Sequence, residues 1–141
     1  MGQRKPLIEN PQPWGYARTM SMKAADFVGL LFLARDVAHS VHLNTPSYAV
    51  HKATQKFYEG LPDLADSFAE AWQGRHGLMG PVTLMSADKN RDLVEFLEDQ
   101  VEQIGKGRFE FCDPEETAIQ NIIDEIVSHY LSALYKLKHL S

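Results

Sequence analysis

Apolar residues recur at three- and four-residue intervals along four separate stretches of the chain, which is the period of a helix that buries one face. The pattern predicts helices over residues 23–43, 48–75, 88–104 and 114–139. No stretch of useful length alternates with the period of two that a half-buried strand shows. We therefore expect an all-α protein, and four long helices with modest connections predict a four-helix bundle.

Glycine and proline mark the expected ends of these helices. Pro62 lies inside the second helix and predicts either a kink or a division into two pieces. Residues 77–87 are expected to form a loop that carries the chain across the bundle. Gly105 and Gly107 are expected to end the third helix, and Asp113 to cap the fourth, with proline in the first turn.

Composition places the chain among ordinary globular proteins. It has 141 residues, 44% hydrophobic and 23% charged, which suits a single domain. We expect an extended N-terminal arm over residues 1–22 and one bundle domain over residues 23–141. The most apolar run, residues 27–34, is too short to span a membrane, so we expect a cytoplasmic protein.

The N-terminal arm is locally basic although the whole chain carries a formal charge of -5. Arg4, Lys5, Arg18 and Lys23 stand against a single acidic residue, a surplus of three positive charges. Phosphate contacts from so few charges predict only weak, salt-sensitive DNA binding. The aromatic residues of the arm can equally serve as anchors on a neighbouring subunit.

Two groups of side chains have the chemistry of metal ligands. Histidines lie at the end of the first helix and the start of the second, and a row of carboxylates follows along the second helix. At about 100° per residue this row occupies one narrow face directly opposite the apolar stripe. The histidines are His39, His42 and His51, and the acidic row is Glu59, Asp63, Asp66 and Glu70.

That geometry has two interpretations. The acidic row is either a solvated face or one side of a metal site at which two subunits meet. Imidazole and carboxylate ligands together suit iron or zinc. An internal di-iron centre is not expected, because the two Glu-x-x-His motifs that build one are missing from the sequence.

The segment over residues 39–70 resembles the signature of the Dps-type miniferritins, a branch of the ferritin-like superfamily named for DNA protection during starvation. That signature is a His-x-Asn at the end of the first helix, a second histidine opening the next helix, and Asp-x-x-x-Glu fifteen residues further on. Here His42, Asn44, His51, Asp66 and Glu70 carry it. The resemblance implies a homo-oligomer, a dimer or larger, that binds iron, or alternatively zinc, between histidines of one subunit and carboxylates of another. It also implies oxidation of Fe(II) by O2 or peroxide.

The histidine spacing departs from the family pattern. The family separates its two histidines by twelve residues, which fits His39 and His51, whereas His42, which has the His-x-Asn context, precedes His51 by nine. We predict the ligands to be His42, His51, Asp66 and Glu70. Held in reserve are His39, Asp63 and Glu59.

A second hypothesis needs no metal. Compact ferritin-like proteins without established function are also encoded by bacteriophages, and the resemblance extends to them. The chain would then be a helical structural or interaction protein, such as a phage virion component, with the arm as its docking strap.

Two further side chains carry weaker expectations. His129 lies one turn after Glu125 and beside core positions, which favours a structural histidine over a metal ligand. Cys112, the single cysteine, precedes the expected helix cap at Asp113, which predicts a lowered thiol pKa.

Overall fold

The computed structural model describes residues 21–88 and 91–141, and within them the chain is helical without any strand. The all-α prediction is confirmed. The predicted N-terminal arm lies outside the described residues except for Ser21 and Met22. The helices are α1 (Ala24–Asn44), α2 (Tyr48–His76), α3 (Leu93–Phe111) and α4 (Thr117–His139).

The four helices form a bundle in which each helix has two neighbours. α1 packs against α2 and α3, and α4 packs against the same two helices, so α1 and α4 lie on one diagonal. The start of α1 lies beside the end of α3, because the backbone N–H of Met22 donates to the carboxylate of Glu110 at 2.8 Å. α3 therefore runs antiparallel to α1 and begins at the opposite end of the bundle from where α2 ends. The predicted crossing is confirmed, since the connection after α2 travels the length of the bundle.

This crossover is fixed to the first turn of α1. The hydroxyl of Thr83 donates to the carboxylate of Asp26 at 2.7 Å, and the N–H of Thr83 donates to the carbonyl of Ala25 at 3.3 Å. A Cβ at Gly29 would lie only 1.8 Å from the carbonyl oxygen of Thr83. Only glycine lets the crossover backbone approach α1 this closely.

All four helices contribute to one core of buried aromatic and aliphatic side chains. Phe27 of α1 meets Phe68 of α2 edge to face, with ring centroids 4.7 Å apart, and stacks on Phe111 of α3 at 5.3 Å. Burial of such large rings, together with the aliphatic side chains around them, stabilises the bundle through the hydrophobic effect. No helix in the described part of the chain is long and apolar enough to cross a membrane.

The structure excludes one of the two alternatives at Pro62 and corrects the bounds of α3. α2 is one continuous helix through Pro62, so a division into two pieces does not occur, and the kink stays a prediction. α3 begins at Leu93, capped by Asp92, and it continues through Gly105 and Gly107 to Phe111. Gly107 does not break the helix because its bare Cα is a packing site: a Cβ there would lie 2.7 Å from the sulfur of Met22.

The start of α4 also differs from the prediction. The carboxylate of Asp113 accepts a hydrogen bond from the N–H of Glu115 at 2.9 Å, and that of Glu116 accepts from the N–H of Asp113 at 2.7 Å. These bonds close a tight turn over residues 113–116. Asp113 therefore stabilises the turn before α4 and does not cap the helix, which begins at Thr117.

Candidate functional site

Two histidines hold the turn between α1 and α2 through reciprocal hydrogen bonds. Nδ1 of His42 lies 2.8 Å from the carbonyl oxygen of His51, and Nδ1 of His51 lies 3.0 Å from the carbonyl oxygen of His42. A carbonyl oxygen only accepts, so each Nδ1 carries the proton that is donated. In the neutral form of each ring, Nε2 then keeps its lone pair.

The two imidazole rings are stacked on each other. Their centroids lie 3.7 Å apart and their planes are inclined by 22°. His42 is buried and His51 is half-buried. Because ring lone pairs lie in the ring planes, the Nε2 atoms of two nearly parallel rings are not aimed at a common point.

A third histidine joins this end of the bundle. His39 is exposed and stacks on the ring of Tyr58 at 4.1 Å, with its centroid 5.9 Å from that of His42. Tyr58 also meets His42 edge-on at 5.3 Å. The structure thus brings together all three histidines of the predicted set, and Tyr58 fixes the positions of two of them.

The predicted carboxylates lie elsewhere on the molecule. Every member of the acidic row is exposed on α2, as the sequence analysis expects for a face opposite the core. His51 and Asp66 lie on the same helix, and fifteen residues at about 1.5 Å each separate them by about 22 Å. Within residues 21–88 and 91–141, no group of three or more His, Cys, Asp or Glu side chains is placed to hold a metal ion. One copy of the chain therefore cannot unite the two halves of the predicted ligand set.

A groove between α2 and α4 is a feature that the sequence analysis does not single out. It has a volume of about 460 Å³, with Lys52, Lys56 and Lys136 among its lining residues and the small side chains of Ala49 and Ala53 beside them. Lys52 and Lys56 lie one turn apart, which the helical period shows. Lys136 belongs to the last helix, so its position beside them depends on tertiary packing, which no local sequence pattern shows.

His129 has the structural role that the sequence predicts. Its Nε2 donates to the carbonyl oxygen of Phe57 at 2.8 Å, and its ring stacks on that of Phe57 at 5.2 Å. Glu125, one turn earlier, is exposed. The two residues therefore form no site with each other.

The pKa of the Cys112 thiol is shifted in the opposite direction from the one that its sequence position suggests. The side chain is buried, and burial raises the pKa of Cys112, with the negative charge of Glu116 as a second cause. The predicted lowering is wrong because desolvation of the thiolate outweighs the favourable hydrogen bond from Gln120.

Glu116 forms a small ionic cluster where α2 ends and α4 begins. Its carboxylate lies 2.6 Å from Nε2 of His76 and 3.5 Å from the guanidinium of Arg75. The backbone N–H of Asp113 is the main cause that lowers the pKa of Glu116, with His76 and Arg75 adding to it. The cluster links the end of α2 to the start of α4. Its side chains pair with one another, so it leaves no two of them free to bind a ligand.

The fold and these groups define an all-α four-helix-bundle protein with a histidine-rich end and a separate acidic face. The chain belongs to a family of unknown function, DUF5856, whose sequence profile matches residues 42–137. The matched segment contains both halves of the predicted ligand set.

A relative in a bacteriophage supports the same grouping. The chain is 33% identical over 116 residues to an uncharacterized 14.6 kDa protein in the mobD-ri intergenic region of Enterobacteria phage T4, covering 82% of this chain and 88% of the relative. No solved structure matches the chain significantly. The chain thus has a homologue in a bacteriophage, and the ferritin-like resemblance remains a prediction.

Proposed function

We propose that this protein binds iron, or alternatively zinc, where two copies of the chain meet. His42 and His51 of one copy and Asp66 and Glu70 of another form the site, at which O2 or peroxide oxidises Fe(II). The observation that carries the proposal is the pair of reciprocal bonds from each histidine Nδ1 to the other residue's carbonyl oxygen.

These bonds give both rings the form that metal binding requires. A histidine that binds a metal through one nitrogen commonly donates its other N–H to a carbonyl or carboxylate, which fixes the tautomer and the ring orientation. In this pair both Nδ1 atoms already donate, and the lone pair of each neutral ring lies on Nε2. The two imidazoles are therefore already oriented, so the histidine half of the proposed site would need little further side-chain ordering to bind a metal.

The carboxylates supply the remaining ligands. Asp66 and Glu70 are exposed and lie one helical turn apart, so both can bind one ion or bridge two. The nearly parallel planes of the two histidine rings favour two ions, each held by one imidazole. Nitrogen and oxygen ligands in this mixture suit iron and zinc better than magnesium or calcium.

The connectivity of the bundle is a second support. A four-helix bundle with one long crossover, between its second and third helices, is the arrangement of ferritin-like folds. The helix order and the crossover after α2 agree with that arrangement.

The test is the metal content of the purified protein and of a carboxylate variant. The variant Asp66→Asn, Glu70→Gln should lose the iron or zinc that wild type retains, and should lose the rise in melting temperature on adding Zn(II) or Fe(II). The matched control Glu115→Gln, Glu125→Gln removes two other exposed carboxylates and should leave metal content unchanged. An assay of Fe(II) oxidation on the same three proteins tests the catalytic part.

The stability of the carboxylate variant without metal shows whether Asp66 and Glu70 form a binding site or stabilise the fold. Neighbouring like charges on a helix repel, so the variant should be at least as stable as wild type in chelator. A markedly destabilised variant would mean that these carboxylates hold the fold. Metal retained equally by both variants would overturn the proposal.

A metal-free interaction protein is the second candidate. It is favoured by Leu78 and Leu84 of the crossover, whose side chains are 90% and 73% exposed although they are large and apolar. Exposed apolar side chains that form a contiguous patch are typical of surfaces that dock other proteins. A protein that carries no metal and still assembles with itself or with a virion would favour this candidate.

A further inference from the structure

The outward face of α2 changes the sign of its charge between Lys56 and Glu59. At about 100° per residue, one strip about 80° wide contains Tyr48 and two lysines in its first half and the acidic row in its second half. The basic half is Lys52 and Lys56, and every residue of the strip is exposed. This strip faces away from α3, because α2 packs against α1 and α4.

The basic half continues sideways into the groove between α2 and α4. Lys136 of α4 lines the groove together with Lys52 and Lys56. None of these three ammonium groups forms an ion pair within the described parts of the chain; the lysines that do are Lys106 and Lys138. Tyr48 is 75% exposed and Leu140 is 49% exposed at the rim. The groove thus offers three lysine ammonium groups against the single carboxylate side chain of Glu59, together with two uncovered apolar side chains.

We propose that two copies of the chain pack α2 against α2 in antiparallel orientation about a two-fold axis. In that arrangement the acidic half of each α2 lies along the lysine groove of the other copy. A two-fold contact is self-complementary, so each charge pairing occurs twice. That this contact serves to bind metal rests on the proposed function, whereas the contact itself forms without metal.

The register of the contact follows from the positions of the charges. With the axis near Glu59, Lys52 of one copy lies opposite Asp66 of the other and Lys56 lies near Asp63. His51 lies about 60° outside the strip on the α1 side, where its ring stacks on His42. The pairing that joins Lys52 to Asp66 brings the partner acidic row towards that side of α2. The partner carboxylates then run between the histidine pair and the lysine groove.

A second copy suits this surface better than a nucleic acid does. Nucleic acid would gain from the three lysines but would be repelled by the acidic half of the same strip and by the formal charge of -5. An antiparallel second copy sets Lys52 and Lys56 against partner carboxylates at both ends of the strip, while the two Glu59 side chains meet near the axis. Complementary potentials of this kind fix register and exclude other partners.

Charge-reversed variants test the contact in buffer with chelator. The variant Lys52→Glu, Lys56→Glu sets acid against acid at both ends of the contact, and Asp63→Lys, Asp66→Lys sets base against base. Each variant alone should sediment as a monomer with about half the mass of the wild-type dimer. An equal mixture should restore a dimer containing one copy of each, because both ends of that pair are again complementary.

The matched control reverses lysines on another face. Lys106→Glu, Lys138→Glu makes the same change in net charge away from the strip, and it should leave the dimer intact. High salt should weaken the wild-type contact, because the screening length falls to about 3 Å at 1 M. Restored dimers in the mixture also show that neither variant is simply unfolded.

Three results would overturn the inference. The first is a wild type that is monomeric at its highest soluble concentration, and the second is an equal mixture of the two charge-reversed variants that stays monomeric. The third is a single-stranded oligonucleotide that binds wild type and whose binding is lost in Lys52→Glu, Lys56→Glu without change in the mass of the protein. A wild-type dimer that disappears with the charge reversals but contains no metal supports the contact and refutes the proposed metal site. Failure of the dimer contact is thus distinguishable from failure of the proposed metal site.

Discussion

The imidazole of His129 occupies the space beside Gly60 that a larger residue would fill. A Cβ at position 60 would lie 2.6 Å from Cε1 and 2.8 Å from Nε2 of His129. The glycine is therefore what allows the histidine ring of α4 to stack on Phe57 and donate to its carbonyl oxygen. A glycine inside a helix costs about 1 kcal/mol relative to alanine, and here the packing of α4 offsets that cost.

Gly60→Ala should therefore destabilise the protein by about 1–3 kcal/mol, since crowding of the ring outweighs the better helix propensity of alanine. Gly74→Ala is the matched control in the same helix, because nothing lies within 4 Å of its built Cβ. That change should stabilise the protein by about 0.5–1 kcal/mol. Denaturant unfolding of both variants measures the difference, and equal effects of the same sign would contradict the packing argument.

Tyr130 and Gln100 form a buried polar chain between three helices. The Tyr130 hydroxyl donates to the Gln100 side-chain oxygen at 2.6 Å, and the Gln100 amide donates to the carbonyl of Leu30 at 3.2 Å. Tyr130→Phe should cost about 1–3 kcal/mol, because it leaves a buried oxygen of Gln100 without its donor. Tyr135→Phe, at an exposed position of the same helix, should cost nothing measurable.

A further change should recover part of that loss. Gln100→Met in the Tyr130→Phe background removes the unpaired oxygen, so the double variant should be more stable than additive losses predict. A double-mutant cycle by denaturant unfolding gives the coupling. Strict additivity would show that the two side chains act independently.

The ionic cluster at Glu116 predicts a dependence of stability on acid pH. The pKa of this carboxyl is lowered below its ordinary 4.5, mainly by the N–H of Asp113. A lowered folded pKa means that the stabilisation is complete above 4.5 and is lost as pH falls through the lower folded value. Glu116→Gln should therefore flatten the loss of stability in this acid range.

Thermal unfolding of Glu116→Gln and wild type over that range measures the effect. Glu115→Gln changes the exposed neighbouring carboxyl and serves as the control. A profile for Glu116→Gln as steep as that of wild type would show that other carboxylates dominate acid unfolding.

Cys112 should react slowly with thiol reagents in the native protein. Burial raises the pKa of Cys112, so little thiolate is present near neutral pH, and the side chain is shielded from the reagent. We expect native labelling to be at least about tenfold slower than labelling in denaturant. Equal rates in the two conditions would mean that the end of α3 opens readily.

Periodic patterns predicted the existence of all four helices, and the ends of α1 and α2 to within one residue. The errors fall where a residue has a role that only packing creates. Gly107 has the signature of a helix stop, yet in the bundle it makes room for Met22. Asp113 has the signature of a helix cap, yet its hydrogen bonds close the preceding turn.

The candidate site was predictable in part for the same reason. Exposure of the acidic row follows from helical geometry alone, because its members lie opposite the apolar stripe. The reciprocal bonds of His42 and His51 could not be read from the sequence, since they depend on how tightly the chain turns at Thr45–Ser47.

The close approach of the Thr83 backbone to Gly29 has a consequence for how the chain folds. The hairpins α1–α2 and α3–α4 involve contacts close in sequence and can form early, whereas the bond from Thr83 to Asp26 closes a loop of 57 residues. Until that loop closes, each hairpin exposes the apolar face that the other will cover. A hairpin from a second chain then fits the same place equally well. The close approach at Gly29, by holding both hairpins of one chain together, guards against intertwined, domain-swapped assemblies.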